Sequence, residues 1–269
     1  MTYPSLAFVG GGNMAGAIFG GLVRSGWPAT SISVVEPGVE QRERIAAAYP
    51  GVHLRAAADT SLASAKIVVW AVKPQTFAEA AAPCAGFVGN ALQLSVMAGI
   101  RSEALLHATC SQRIVRAMPN TPALIGQGIA GLFARAAVSA ADRVAVEAVL
   151  APTGQLLWFE REEQLDAVTA LSGSGPAYVF YFIEAMIEAG EQLGLSAEHS
   201  RLLAQQTFVG AAALAQHSSE PIAQLRERVT SKGGTTHAAV TSLDAAQVKV
   251  AFVQALRAAH ARAVELGKA

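Results

Sequence analysis

The chain has 269 residues, 52% hydrophobic and 15% charged, a balance that excludes disorder and leaves more apolar side chains than one small monomer readily buries. Lysine plus arginine equal aspartate plus glutamate at 20 each and aromatic residues are 6%, so there is no phosphate-backbone footprint or base-stacking platform and nucleic acid is not an expected partner. Cys84 and Cys110 stand far apart outside any Cys-x-x-Cys arrangement and the histidines show no ligand spacing, which argues against a disulfide framework and a metal site and fits a reducing cytoplasm.

In chain order, the apolar run Leu6 to Val9 predicts a strand that enters Gly10-Gly11-Gly12-Asn13-Met14-Ala15 and then a helix from Ala15 to Val23, with Gly26 as its stop. In Gly10-x-Gly12-x-x-Ala15 the first glycine permits a tight turn, the second lets backbone approach a pyrophosphate, and Ala15 lets helix and strand pack closely. The helix N-terminus adds free amides and partial positive charge. Glycines also mark ordinary turns, so a purely structural turn is the competing reading. The β-branched run Ser31 to Val35 ending in Glu36 favours a bound dinucleotide. No basic leader precedes the first strand, and the apolar stretch Tyr178 to Ile187 is short and carries Glu184. Neither a signal peptide nor a membrane span is expected.

Gln41 to Tyr49 has helical spacing, and Asp59-Thr60 caps a short helix through Ala65. Ile67 to Val72 is a continuous apolar run, as in a parallel strand covered on both faces, and it places Ala71, Val72, Lys73 and Pro74 at the ligand-binding end of a sheet. A helix from Phe77 to Ala82, a strand from Leu92 to Val96 and a small-residue turn at Ala98-Gly99 repeat the unit, so the alternation reads βαβ throughout. A strand from Arg113 to Ala117 leads into Met118-Pro119-Asn120-Thr121-Pro122, where two prolines present Asn120 rigidly; a connecting loop and a functional one are equally open. Gly128 to Phe133 and Leu156 to Phe159 add strands around a helix from Ala140 to Leu150.

From Leu165 the pattern is helical, and the expected domains are residues 1–162, dinucleotide-binding, and 163–269, helical, substrate-binding and dimerising. Helices are expected over Ala177 to Ala189, Ala197 to Gln216, Ile222 to Val229, Thr236 to Leu243 and Ala246 to Leu266, with recurrent alanines and apolar faces that extend across a dimer interface. Ser172-Gly173-Ser174-Gly175-Pro176 does not match Gly-x-Ser-x-Gly and reads as a tight interdomain turn with Pro176 opening a helix, which leaves a hydrolase without support. Ser231-Lys232-Gly233-Gly234-Thr235-Thr236 precedes a helix. Either its amides form an anion site with the charge of Lys232 beside them, or Thr235 or Thr236 is an ordinary cap. His237 reads as a solvent-facing or interface residue rather than a proton donor.

Taken together, Phe8-Val9-Gly10-Gly11-Gly12-Asn13-Met14-Ala15, Ala71-Val72-Lys73-Pro74-Gln75, Arg116-Ala117-Met118-Pro119-Asn120-Thr121-Pro122-Ala123, Leu171-Ser172-Gly173-Ser174-Gly175-Pro176-Ala177-Tyr178 and Ser231-Lys232-Gly233-Gly234-Thr235-Thr236 resemble the motifs of the pyrroline-5-carboxylate reductases, over nearly the whole chain. The resemblance implies an α/β Rossmann-type N-terminal domain, an all-α C-terminal dimerisation domain, and a homodimer that assembles into larger rings such as a decamer. It implies hydride transfer from NADPH to the C=N bond of 1-pyrroline-5-carboxylate, giving L-proline, the last step of proline biosynthesis. On the matching positions it assigns the cofactor to Gly10, Gly11, Gly12, Asn13, Met14, Ala15, Ala71, Val72, Lys73 and Pro74, with Ala98, Gly99 and Asn120 near the nicotinamide. Ser174, Ser231, Gly233, Gly234, Thr235 and Thr236 fall to the substrate, Thr236 bonding the ring nitrogen as the catalytic hydroxyl, and Glu162 stands where the family places a substrate-contacting acid.

The residue chemistry agrees. A protonated cyclic imine already carries its charge and proton, so hydride can arrive without a strong general acid, whereas a carbonyl needs one. The related hydroxyacid dehydrogenases use a lysine after their Ser/Gly turn, and this chain has none between Pro74 and Ser231. Lys232 replaces the proline common in the family's last loop. Glu36 suits a ribose 2′-hydroxyl and opposes a 2′-phosphate, with Arg42 and Arg44 close behind it, which keeps NADH open beside NADPH. A non-catalytic nicotinamide sensor and a reductase of another cyclic imine are the alternative functions; the Gly233-Gly234-Thr235-Thr236 loop opposes the first and a substrate panel separates the second.

Overall fold

A computed structural model describes residues 3–268. Its strands are β1 Leu6–Val9, β2 Ile32–Val35, β3 His53–Arg55, β4 Ile67–Trp70, β5 Leu92–Ser95, β6 Ile114–Met118, β7 Gly128–Ala134 and β8 Gly154–Phe159. They form one sheet in the order β3-β2-β1-β4-β5-β6-β7-β8. β1 is parallel to both neighbours, with Leu6 opposite Ile32 on one side and Ile67 on the other. β7 runs antiparallel to β6, with Met118 opposite Gly131. The βαβ alternation expected throughout therefore ends at β6. A parallel return needs a crossover of about a dozen residues or more, and the segment from Pro119 to Gln127 is too short for one.

The helices of this part are α1 Asn13–Arg24, α2 Val39–Ala48, α3 Phe77–Ala81, α4 Ala85–Val88, α5 Ser102–Thr109, α6 Ala140–Leu150 and α7 Gln164–Val168. Side chains alternate across a strand, so the apolar run of β4 divides between two cores. Ile67 and Val69 join Phe8, Phe19 and Leu94 on one face; Val68 and Trp70 join Leu105 and Ile114 on the other. Each such burial is worth about 1.5–3 kcal/mol. Gln93, a polar residue buried on β5, has its side chain bonded at both ends: Trp70 Nε1 donates to Gln93 Oε1 at 2.9 Å, and Gln93 Nε2 donates to the carbonyls of Val88 and Ala91.

The chain divides into two compact units, one of residues up to Ser174 together with those from Ala259 onward, the other Gly175–Ala258. Residues 163–174 pack with the first unit, where Asp166 on α7 is buried and bonded to Arg101. The tight turn expected at Ser172–Pro176 is corrected. Thr169–Gly173 is a π-helical segment running into helix α8, Gly175–Gln192, with the Ser174 amide donating to the Thr169 carbonyl at 2.8 Å. The helical backbone bonding runs through the segment, and Gly173 lies close under Met118, where a Cβ would come 2.5 Å from Met118 Cε. Pro176 sits in the first turn of α8, where its missing N–H costs nothing.

The second unit continues with α9 Ala197–His217, α10 Ile222–Arg228 and α11 Thr235–Ala245; α12, Val248–Leu266, begins in it and ends in the first. Between Gly175 and Ala258 only Gly190, Ser200 and Ala204 are buried among the described residues. Phe180, Tyr181 and Leu202 are 58%, 68% and 63% exposed. A helical unit with no core of its own needs another surface to cover it.

Candidate active site

Strand order reverses between β1 and β4, the switch point at which open α/β sheets bind ligands beyond their carboxyl ends. Gly10 leaves β1 at φ +97°, and a Cβ there would lie 2.7 Å from the Ala71 carbonyl oxygen and 3.0 Å from Val72 Cγ1. Only glycine brings the turn this close to the end of β4. Gly12 caps α1 and has no atom within 4 Å of where a Cβ would sit. No side chain caps α1, so the first-turn amides following Gly12, over Asn13, Met14 and Ala15, face an open approach that fits an anionic pyrophosphate. Ala15 is fully buried, as close packing of helix on strand requires.

The carboxylate of Glu36 binds the turn itself. Oε2 accepts from the Gly11 amide and Oε1 from the Gly38 amide, both at 2.9 Å, while Gln41 Nε2 donates to the Gly11 carbonyl at 2.6 Å. The Gly11 residue is thereby held at both its polar atoms. Arg42 Nη1 donates to the carbonyls of Glu36 and Pro37, each at 2.7 Å, so Arg42 braces the loop. Arg44 is exposed and, with Gly12, Asn13 and Gln41, lines a cavity of about 240 Å³ beside the turn. Of the two arginines noted from sequence, Arg44 is the one whose charge faces open space.

Further along the sheet, Trp70 lies opposite Ser95 and Ser95 opposite Arg116, so the segments after β4, β5 and β6 emerge side by side. Lys73 is exposed and precedes a 3-10 turn from Pro74. Ala98 and Gly99 are half-buried; Gly99 has φ +75°, and a Cβ there would lie 3.2 Å from Leu266 Cβ. Asn120 Oδ1 accepts from the Ile129 amide at 3.0 Å and Nδ2 donates to the Ser172 carbonyl at 3.2 Å. Its side chain fastens the Met118–Pro122 loop to β7 and to the π segment, and Ser174 follows that segment half-buried.

Glu162 is engaged in full. Oε1 accepts from the Ser102 amide at 2.6 Å and from Arg116 Nη1 at 2.7 Å, and Oε2 from Ser102 Oγ at 2.6 Å. Burial pushes its pKa up, but the bonds from Ser102 and the Arg116 guanidinium outweigh it and hold the carboxyl below its usual range. Burial lowers the pKa of Arg116, with Glu162 opposing. Arg116 lies within the Arg116–Ala123 motif, and its role is visible only where the fold sets it against Glu162.

In the second unit, Gly233 has φ +77° and the Gly234 amide donates to the Ser231 carbonyl at 3.0 Å. Gly234 caps α11, and no side chain caps the helix's first amides. Thr235 and Thr236 lie inside the first turn, so neither is the ordinary cap. Thr236 is half-buried; Ser231, Lys232, Thr235 and His237 are exposed. Among the described residues no group of His, Cys, Asp and Glu could hold a metal ion, and no helix is long and apolar enough to cross a membrane.

A doubly wound sheet with an open glycine turn at its switch point defines a dinucleotide-binding protein of the Rossmann class. Residues 5–99 match the family model described as NADP oxidoreductase, coenzyme F420-dependent, and residues 162–266 match that described as pyrroline-5-carboxylate reductase dimerisation. The chain is 45% identical to the pyrroline-5-carboxylate reductase of Pseudomonas aeruginosa, with 100% of this chain and 98% of that protein covered. It is 40% identical to that of Haemophilus influenzae, with 99% and 98% covered. The solved pyrroline-5-carboxylate reductase of Coxiella burnetii superposes with a TM-score of 0.92 at 35% identity, covering 100% of both chains. That of Plasmodium falciparum, with NADP bound, gives 0.88 at 28% identity, covering 99% of both. The chain belongs to the pyrroline-5-carboxylate reductase family.

Proposed function

We propose that this chain reduces the C=N bond of 1-pyrroline-5-carboxylate to give L-proline, using NADPH and accepting NADH. The observation that carries the reading is the whole-chain identity to the Pseudomonas aeruginosa reductase, supported by the uncapped, open N-terminus of α1. Reduced nicotinamide supplies the hydride. The turn from Gly10 to Ala15 holds the pyrophosphate, with Ala71, Val72, Lys73 and Pro74 as the neighbouring wall and Ala98, Gly99 and Asn120 at the nicotinamide end. The amides of the Ser231–Thr235 loop, with Ser174, take the substrate carboxylate, for which the uncapped N-terminus of α11 is a natural donor set. The Thr236 hydroxyl bonds the ring nitrogen. As hydride adds to the ring carbon, the C=N pair moves onto nitrogen, which keeps the proton it already carries, so placement serves in place of an acid.

The unit that lacks a core supports a homodimer, in agreement with the dimerisation match over residues 162–266. We assign the dimer to a decamer in the cytoplasm. Thr236→Ala tests the site. Turnover is expected to fall by about tenfold or more, the loss of one hydrogen bond of about 1.5–3 kcal/mol made to a charged group, with the NADPH dissociation constant unchanged. Equal loss of both would remove Thr236 from the substrate.

A further inference from the structure

Two loops at the proposed nicotinamide end are tied by one carboxylate. A dinucleotide spans the two halves of a doubly wound sheet, and Glu36, at the end of β2, marks the adenosine half. The nicotinamide half is therefore formed beyond β4, β5 and β6, where the segments Val96–Arg101 and Pro119–Pro122 lie. Arg101, the residue that caps α5, provides no capping side-chain bond, and the Ser102 amide is instead met by Glu162 from 60 residues away. The same carboxylate takes Arg116, which stands on β6 just ahead of Met118 and Asn120. Glu162 thus fixes where one loop ends and where the other begins.

Neighbouring contacts converge on the first loop. Arg101 Nη2 pairs with Asp166 at 2.6 Å, and a Cβ on Gly267 would lie 2.7 Å from Arg101 Nε. Arg135 Nη1 pairs with Glu103 at 2.8 Å and lies 3.4 Å from Ser102 Oγ. The Arg116 side chain is 4% exposed and its Nε is buried with no hydrogen-bond partner among the described residues; Glu162 is the anion that bonds it, and the Asp166 carboxylate adds a weaker attraction. A buried ion pair is a weak source of net stability, because desolvation offsets much of the attraction, but it fixes geometry.

We infer that Glu162 and Arg116 are positioning residues for hydride transfer: their ion pair, with Ser102, holds the Ala98–Gly99 and Asn120 loops in register under the nicotinamide. Neither touches the reacting atoms. The inference rests on the reductase reading, and it moves Glu162 from substrate contact to support of the cofactor's reactive end.

The test compares wild type, Glu162→Gln and the milder Ser102→Ala, which removes one of the three bonds to Glu162 and leaves the Ser102 amide and Arg116 bonds in place. Each is measured for NADPH-dependent turnover of 1-pyrroline-5-carboxylate, for the kinetic isotope effect with deuterated NADPH, and for binding of 2′,5′-ADP, which reports the adenosine half alone. Misplacement by about 1 Å costs about a hundredfold in rate. Turnover is expected to fall about ten- to a hundredfold in Glu162→Gln and less in Ser102→Ala, with a raised isotope effect and 2′,5′-ADP affinity within about twofold of wild type. A wild-type rate and isotope effect in both variants, or a parallel loss of 2′,5′-ADP binding, overturns the inference. So does a raised KM for the imine with an unchanged isotope effect, which is the signature of direct substrate contact. Absence of turnover in the wild type would instead overturn the reductase reading.

Discussion

Two glycines of the turn, two residues apart, are expected to respond to the same substitution in opposite ways. In Gly10→Ala, the new Cβ falls 2.7 Å from the Ala71 carbonyl oxygen at a backbone φ of +97°. The backbone strain is about 1–3 kcal/mol and the forced repacking about 1–3 kcal/mol, together a large part of a total stability of about 5–15 kcal/mol. In Gly12→Ala, φ is −71° and no atom lies within 4 Å of the Cβ. Its cost to the fold is only the cap preference for glycine over alanine, about 1 kcal/mol or less. That Cβ is expected to stand in the approach to the α1 amides. Loss of one charge-assisted hydrogen bond, about 1.5–3 kcal/mol, raises the NADPH dissociation constant about ten- to a hundredfold. Thermal melts without ligand and calorimetric NADPH titrations separate the two: Gly10→Ala melts well below wild type, Gly12→Ala melts near it and binds weakly. A Gly12→Ala protein that binds NADPH like wild type would refute the placement of the pyrophosphate over the turn.

Glu36→Ser is expected to improve NADPH relative to NADH in kcat/KM and also to lower the melting temperature, because the Gly11 and Gly38 amides lose their acceptor; an unchanged cofactor ratio would remove Glu36 from specificity. The Arg113 guanidinium beside Asp142, aided by Ser139 and opposed by burial, holds that carboxyl below its usual range. A carboxyl whose folded pKa is depressed stabilises above its unfolded pKa and ceases to as pH falls through the folded one. The melting difference between wild type and Asp142→Asn should therefore be largest near neutrality and shrink below about pH 4, the ordinary carboxylate range; a pH-independent gap contradicts the assignment. Phe180→Arg, on the coreless unit, should shift the protein toward monomer in light scattering, and an unchanged mass places Phe180 outside the interface.

The turn was legible because each of its requirements is local. A buried strand, glycines at the bend and a small residue in the helix are marks of neighbouring positions, and β1, α1, β2 and β4 lie within a few residues of expectation. Helix α6 keeps both of its expected bounds for the same reason, its Ser139–Asp142 capping box being written into the sequence. What escaped was set from a distance. Helix α5 was not anticipated, since its cap comes from Glu162 and not from its own N-cap residue. β3 is too short to show periodicity, and the reversed direction of β7 leaves no trace in its apolar pattern. The SGSG run reads as a turn from its residue types, whereas its backbone continues as helix, the Ser174 amide bonding the Thr169 carbonyl. In the site, the end of the second strand pointed to Glu36 and the family resemblance to Glu162, but neither pointed to the backbone amides and the guanidinium that hold them.

The central claim is tested most directly by following reduced-nicotinamide absorbance when the purified chain meets 1-pyrroline-5-carboxylate, in parallel with NADPH and NADH, while L-proline is quantified. One proline formed for each nicotinamide oxidised, and no oxidation without the imine, is the predicted result. Cofactor binding with no imine-dependent oxidation by either nucleotide would contradict it.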